Sequence, residues 1–419
     1  KNVREAQQAQ NRIFEDSKVP NDKKVFEYYK KKADEDGCPS SKYMLGYFYD
    51  VGIGTEFDAN ETYRMFSEAA AAGNVDALYR QGLCVIRGTG TARDRAKGFE
   101  MLKDAYAKGS VSAGCEMGRC YEHGIGVEKN SAEALKIYSK MADQGISIGQ
   151  YNLGRCYMDG IGTPKEPVFA HSWFSVAAAN GCISGEYGLA RCYMGGVGVD
   201  RDKDKGLKML EAAAEKGETD AMIMLAQLYS KGSIVKKNAG TAGNWYRKAA
   251  TMGDPYAEFI AAEMYANGDG IKADPAKAVQ YYERAAEHGH MVACHNLGVM
   301  LLSGNGIKKD EARGFALCGR SAEDGYMKSQ FVLADCYAKG KGTKKNFEKA
   351  LELHQALGEK GYGKSQLFVA ECFMEGRGVK ANDKKAFECF LKGAENDNVI
   401  CQYYTGYCYA NGKGTKAAA

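Results

Sequence analysis

Three stretches of this chain spell motifs that carry chemistry elsewhere. Gly358-Glu-Lys-Gly-Tyr-Gly363-Lys364-Ser365 fits G-x-x-x-x-G-K-[ST], a loop whose backbone amides wrap phosphates. Gly145-Ile-Ser147-Ile-Gly149 fits G-x-S-x-G, in which a strained strand-to-helix turn projects a nucleophilic serine. Ser233-Ile-Val-Lys236 fits S-x-x-K, but neither S-D-N nor K-T-G accompanies it. The first two motifs work only behind a buried strand, and here each joins two helical segments. The phosphate-loop spelling also recurs 36 residues earlier as Gly325-Tyr-Met-Lys328-Ser329, with Met in place of the second Gly. It reads as a turn. His288, His290, Cys294 and His295 form the one metal-like cluster, but their spacing fits no standard zinc pattern. They read as a helix-terminal histidine beside groove and core residues. With six His and no converging acid–base pair, neither an enzyme nor a cofactor is expected.

The elements that carry these residues follow a strict period. Glycine recurs every 36 residues from Gly37 to Gly361, and Asp397 takes the next place. A second ladder runs from Gly52 to Gly412; another Gly follows two residues later in ten of its eleven cases, Ile234 being the exception. Repeats of this length read as stacked supersecondary units. Each holds two helices. Glycine ends the first, because it adopts the left-handed conformation without a side-chain clash. Asp58, Asp94, Asn130, Asp202 and their equivalents cap the second, with Glu166-Pro167 the exception. None of the 6 prolines falls inside a proposed helix, where one would cost about 3 kcal/mol. Trp173 and Trp245 share one repeat place. Gly 51 against Pro 6 suits helices joined by glycine turns, and a net charge of +4 is too small to point to nucleic acid. Mean hydropathy is −0.45, and no apolar run reaches the eighteen or so residues of a membrane span.

Leu-Gly-x-x-Tyr-x-x-Gly-x-Gly, then Asp-x-x-Lys-Ala, a Tyr-Tyr or Trp-Tyr, Ala-Ala and Gly, resembles the Sel-1-like repeat, a relative of the tetratricopeptide repeat. The likeness is closest at residues 257–289 and 152–181. It implies an all-α, right-handed α/α solenoid of 36-residue two-helix repeats, first helices on the concave side and second helices on the convex side. Ten repeats would span 37–396, after N-terminal capping helices in 1–36 and before a partial repeat in 397–419. Residues 23–36 resemble a second helix, and a polar Gln-rich stretch near 2–15 reads as a cap. The last unit stops after Gly414 with no second helix, so further chain or another surface is expected to cover Tyr403, Tyr404 and Tyr407. Members of the family include adaptors in ER-associated degradation, activators of chitin synthase, and bacterial proteins that contact host or envelope partners. Some have been labelled β-lactamases, which is why S-x-x-K is worth naming.

Cysteines 84, 120, 156, 192, 336, 372 and 408 share repeat place 12, counted from the leading glycine, where other repeats carry Phe48, Leu228, Met264 and Met300. That is an apolar core place. The family's secreted, cysteine-rich branch pairs a Cys of each second helix with one of the next first helix, and that regular partner is absent here. Cys372–Cys389 stays open as an isolated bridge. An intracellular or cytoplasmic setting is favoured, with a secretory or periplasmic one left open.

Places 7 and 11 lie four residues apart on the first helix and so share a face. Place 7 carries Tyr43, Tyr79, Tyr151, Tyr187, Phe259 and Phe331; place 11 carries Arg119, Arg155 and Arg191, then Glu263, Asp335 and Glu371. Aromatics beside Arg are enriched at interface hot spots. Two readings are open for these twelve residues: a groove for a partner, or packing between repeats with solvated charges. The function expected is a non-enzymatic scaffold or adaptor, alone or within a larger complex, holding a protein or peptide segment. A glycan- or envelope-binding receptor is the alternative, and a β-lactamase-like enzyme comes third.

Overall fold

The computed structural model describes residues 22–416, with 22 α-helices and no strand among them. The polar stretch near residues 2–15 lies outside the described residues. After Asp22–Asp36, every helix is 13 residues long, beginning with Pro39–Val51 and Ala59–Ala71 and ending with Val399–Asn411. The boundaries are local chemistry. At Gly160, with φ 79°, the amide returns to the Cys156 carbonyl at 2.9 Å and the Ile161 amide joins it at 3.0 Å, closing the helix end. At the starts of the second helices, the Asn130 side chain accepts from two first-turn amides, whereas Glu166 makes no such bond and Pro167 takes the first helical place. Asp397, with φ 59°, does the work of the leading glycine without being one.

The core follows the same period. Phe66, Tyr138, Phe174, Leu210, His354 and Phe390 occupy one place of the second helix and are almost completely buried. Opposite them the first helix is stripped to Gly or Ala. A Cβ on Gly154 would lie 2.7 Å from the Phe174 ring, and one on Gly46 would lie 2.7 Å from Phe66. A small residue facing a large one lets the paired helices close to packing density, and each such ring is worth about 2–3 kcal/mol.

The second turn glycine has a different task. A Cβ on Gly126 would run into the Arg95 carbonyl, and one on Gly162 into the Ser131 carbonyl, each at the start of the preceding repeat's second helix. The turn therefore docks backbone to backbone, which Ile234 cannot do; its side chain packs into the apolar cluster around Leu225 and Leu228 instead.

The chain divides into two compact units between Gly289 and His290. Within the first unit the solenoid comes round on itself. Thr89 Oγ1 donates to the Glu287 carbonyl at 2.6 Å, and His288 meets Asp50 at 3.1 Å, across sequence separations of 198 and 238 residues.

Candidate functional site

The first helices of successive repeats also touch one another, Ser147–Asp159 against Ile183–Gly195 most extensively, as the crowded side of a curved stack requires. Field effects agree. Tyr151 is acted on by Asp220, two repeats further along, and its hydroxyl is pushed well up, first by burial and then by that charge. Asp220 is open to solvent yet ringed by protein: burial raises its carboxyl, while Arg155 and Arg191 pull it down. Glu218 beside it accepts from Ser184 Oγ at 2.6 Å and is raised by burial to about 7.

In the first unit the place-7 aromatics lean on second-helix residues or on a guanidinium. Ring centroids lie 5.8 Å apart for Tyr43 and Phe66, 5.7 Å for Tyr151 and Phe174, and 6.2 Å for Phe259 and Tyr282. Tyr151 is buried, whereas Tyr43, Tyr79, Tyr187 and Phe259 keep an open edge. Arg80 lies 5.7 Å from the Tyr79 ring centre and Arg191 lies 5.9 Å from that of Tyr187.

The arginine row is not three free cations. Arg119 pairs with Glu116 at 2.7 Å and Arg191 with Asp159 at 3.7 Å, both pairs half-exposed. Arg155 differs: it donates to Asn152 at 3.0 Å and, at 3.1 Å, to Glu122, a buried carboxylate that also accepts from Tyr138 at 2.7 Å. Glu263 accepts from Tyr282. In the second unit Phe331 stands edge-on to His354 at 5.4 Å, Asp335 pairs with Lys339 at 2.6 Å, and Glu371 pairs with Arg377 at 3.3 Å.

The motif residues sit where turns and helices put them. Gly358 belongs to the helix Phe347–Glu359, and Gly363 begins the next one. Ser365 is buried with its Oγ 3.0 Å from His354 Nδ1, so that stretch cradles no phosphate. Ser147 opens a helix, and Ser233 lies in an exposed turn. The metal-like cluster resolves into separate roles. His288 is bonded to Glu258 and Asp50, His290 caps the helix Met291–Ser303, and His295 meets Ser329 at 2.8 Å. Among the described residues no group of His, Cys, Asp and Glu could hold a metal ion.

The place-12 cysteines are all buried, and burial pushes their thiols up, to about 12 at Cys84, Cys120 and Cys156. Such thiols are packing groups rather than nucleophiles. Of the pair left open above, Cys372 and Cys389 are both free thiols.

Two features escaped the sequence reading: the Glu122 pairing and the His288 cluster. Both involve an acid, Glu122 or Asp50, at a repeat place that elsewhere holds Ile86, Met158, Met194, Leu302 or Met374. A carboxylate at an apolar place was the available signal.

The Sel1 repeat profile matches eleven consecutive segments from residue 39 to residue 417. The chain belongs to the Sel1 repeat family. Sel1 repeat proteins are generally non-catalytic, and their repeats typically bind proteins. Among solved structures, the chain is similar to c5321, a protective antigen of uropathogenic Escherichia coli with an SLR fold. Identity is 25%, covering 93% of this chain and 87% of that one, with a TM-score of 0.49. A Sel1 repeat protein from Oxalobacter formigenes is 24% identical over 77% of this chain and 92% of its own, with a TM-score of 0.47. Yeast Tom70 matches at 11% identity over 97% and 94%, with a TM-score of 0.30. A comparison with curated proteins returned no match. No described helix is long and apolar enough to cross a membrane.

Proposed function

We propose that this Sel1 repeat protein is a non-enzymatic scaffold that holds a protein or peptide segment against the shared face of its first helices. Family membership supports the scaffold. The placement rests on one observation: partly open tyrosines of that face stand beside guanidiniums, Tyr187 with Arg191 of the same face and Tyr79 with Arg80, its neighbour in sequence. Tyrosine and arginine combine apolar area with directed hydrogen bonds, the mixture that concentrates binding energy. Tyr43, Phe259 and Glu263 extend the face in the first unit; Phe331, Asp335 and Glu371 form the corresponding face of the second.

The arginines divide by role. Arg119 and Arg191 hold partners that are at least partly open to solvent and can exchange them for a ligand carboxylate at little cost. Arg155, tied to the buried Glu122, positions the helix. Affinity capture with mass spectrometry on the wild type and on an Arg119→Gln/Arg191→Gln variant tests this reading. Weaker capture with a flatter salt dependence is expected, and unchanged capture would remove these residues from the binding face.

A further inference from the structure

We infer that His288 is a clasp that holds the turn of the first unit shut, and that breaking it opens the turn while every repeat stays folded. His288 is 3% exposed, and its ring lies between carboxylates from two helices far apart in sequence. Nδ1 is 2.7 Å from Glu258, on Pro255–Asn267, and Nε2 is 3.1 Å from Asp50, on Pro39–Val51. A neutral imidazole donates from one nitrogen only, and two carboxylate acceptors call for both N–H groups, so the geometry requires the imidazolium. Arg284 lies 2.9 Å from the other Glu258 oxygen, Arg80 and Arg87 act on Asp50 from Val75–Arg87, and the Phe57 ring stands edge-on at 5.8 Å. The bond from Thr89 to the Glu287 carbonyl fastens the same seam a second time. At the place of His288 other repeats carry residues such as Lys108, Gln144, Asn180 and Met252, so the period does not generate this contact.

Burial alone would lower the ring, but Glu258 and Asp50 lift it to about 9. Burial alone would raise Asp50, but the charge and hydrogen bond of His288, with Arg80 and Arg87, hold it at about 2. With an ordinary value of 6.5 below and 9 above, the His288 contribution is complete under about 6.5 and is lost as pH climbs through 9. The Asp50 contribution is complete above its ordinary 3.8 and is lost only as pH falls through 2. Near neutral pH both contributions hold, and the clasp is shut. It fixes how tightly the first seven repeats curl, and hence the curvature that their first helices offer a partner.

Small-angle scattering and hydrogen exchange on the whole chain test the clasp without any partner. At pH 6.5, Asp50→Asn and His288→Gln should each increase the radius of gyration. Exchange at residues 50–57 and 287–289 should rise at least tenfold, with helical circular dichroism unchanged. The wild type at pH 10, with rates corrected for base catalysis, should acquire the variants' profile. Should His288→Gln not fold, Asp50→Asn decides, since its amide keeps the shape and one acceptor. Wild-type scattering and exchange from Asp50→Asn at pH 6.5 would overturn the clasp, as would a pH 10 opening of the same amplitude in that variant.

Discussion

Replacing Glu122 by Gln removes the counter-charge of Arg155 while leaving Tyr138 an acceptor. Breaking a fully buried charge pair on one side costs about 3–5 kcal/mol, and with Arg155 a quarter exposed the loss in denaturant unfolding should fall toward the lower end of that range. Arg119→Gln breaks an exposed pair and should cost under about 0.5 kcal/mol by the same measurement. Glu218 supplies a pH prediction of definite sign. Its carboxyl stands at about 7 in the folded chain against an ordinary 4.5, so folding is favoured while it is protonated, and that advantage fades as pH rises through 7. Glu218→Gln should therefore raise the melting temperature at pH 8 by a few degrees, corresponding to about 1 kcal/mol, and leave it unchanged at pH 4. Tyr151 and Arg155 do share a helix face with their equivalents, yet which arginine is fixed and which is open depends on a carboxylate from the neighbouring repeat, and no spacing along one helix encodes that.

Among the elements, the turn glycines separate backbone conformation from close approach. Gly145→Ala meets nothing within 4 Å and pays only for a left-handed alanine, about 1 kcal/mol. Gly126→Ala pays that and also pushes a methyl into the Arg95 carbonyl, so thermal unfolding should register about 3 kcal/mol or more. The helix Ala239–Thr251 carries two glycines of opposite kind. A Cβ on Gly243 would lie 2.5 Å from the Met264 methyl, whereas Gly240 has no neighbour closer than 3.5 Å. Gly240→Ala should stabilise the chain by about 0.5–1 kcal/mol. With its turn docked through Ile234 rather than a glycine, this repeat should also exchange amide hydrogens faster over residues 232–245 than its neighbour over 268–281. Equal protection would mean the side-chain dock is as firm as the backbone one. Helix starts and stops were legible because caps and left-handed glycines act within a few residues. The collision at Gly126 was not, because its other party sits on the preceding repeat.

For the whole molecule, periodicity fixed what each repeat does to the next and left unstated where a stack of them ends up. Small rotations add from joint to joint, so the meeting of Asp50 with His288 is a sum over six steps rather than a property of either residue. The fold class follows from any one repeat, but the seam follows only from all of them together.

That sum makes the first unit sensitive to its own copy number. Tandem repeats are gained and lost as whole periods when a gene misaligns in recombination, and a solenoid joined only between neighbours tolerates such events. Here, excising residues 147–182 would leave every remaining joint with a matching surface, yet bring Asp50 round to the wrong address. Such a deletion should fold with normal helicity and still lose the protection around residues 50–57 in hydrogen exchange. A seam of this kind ties the length of the array to its closure, so within this unit the number of repeats is itself a selectable trait.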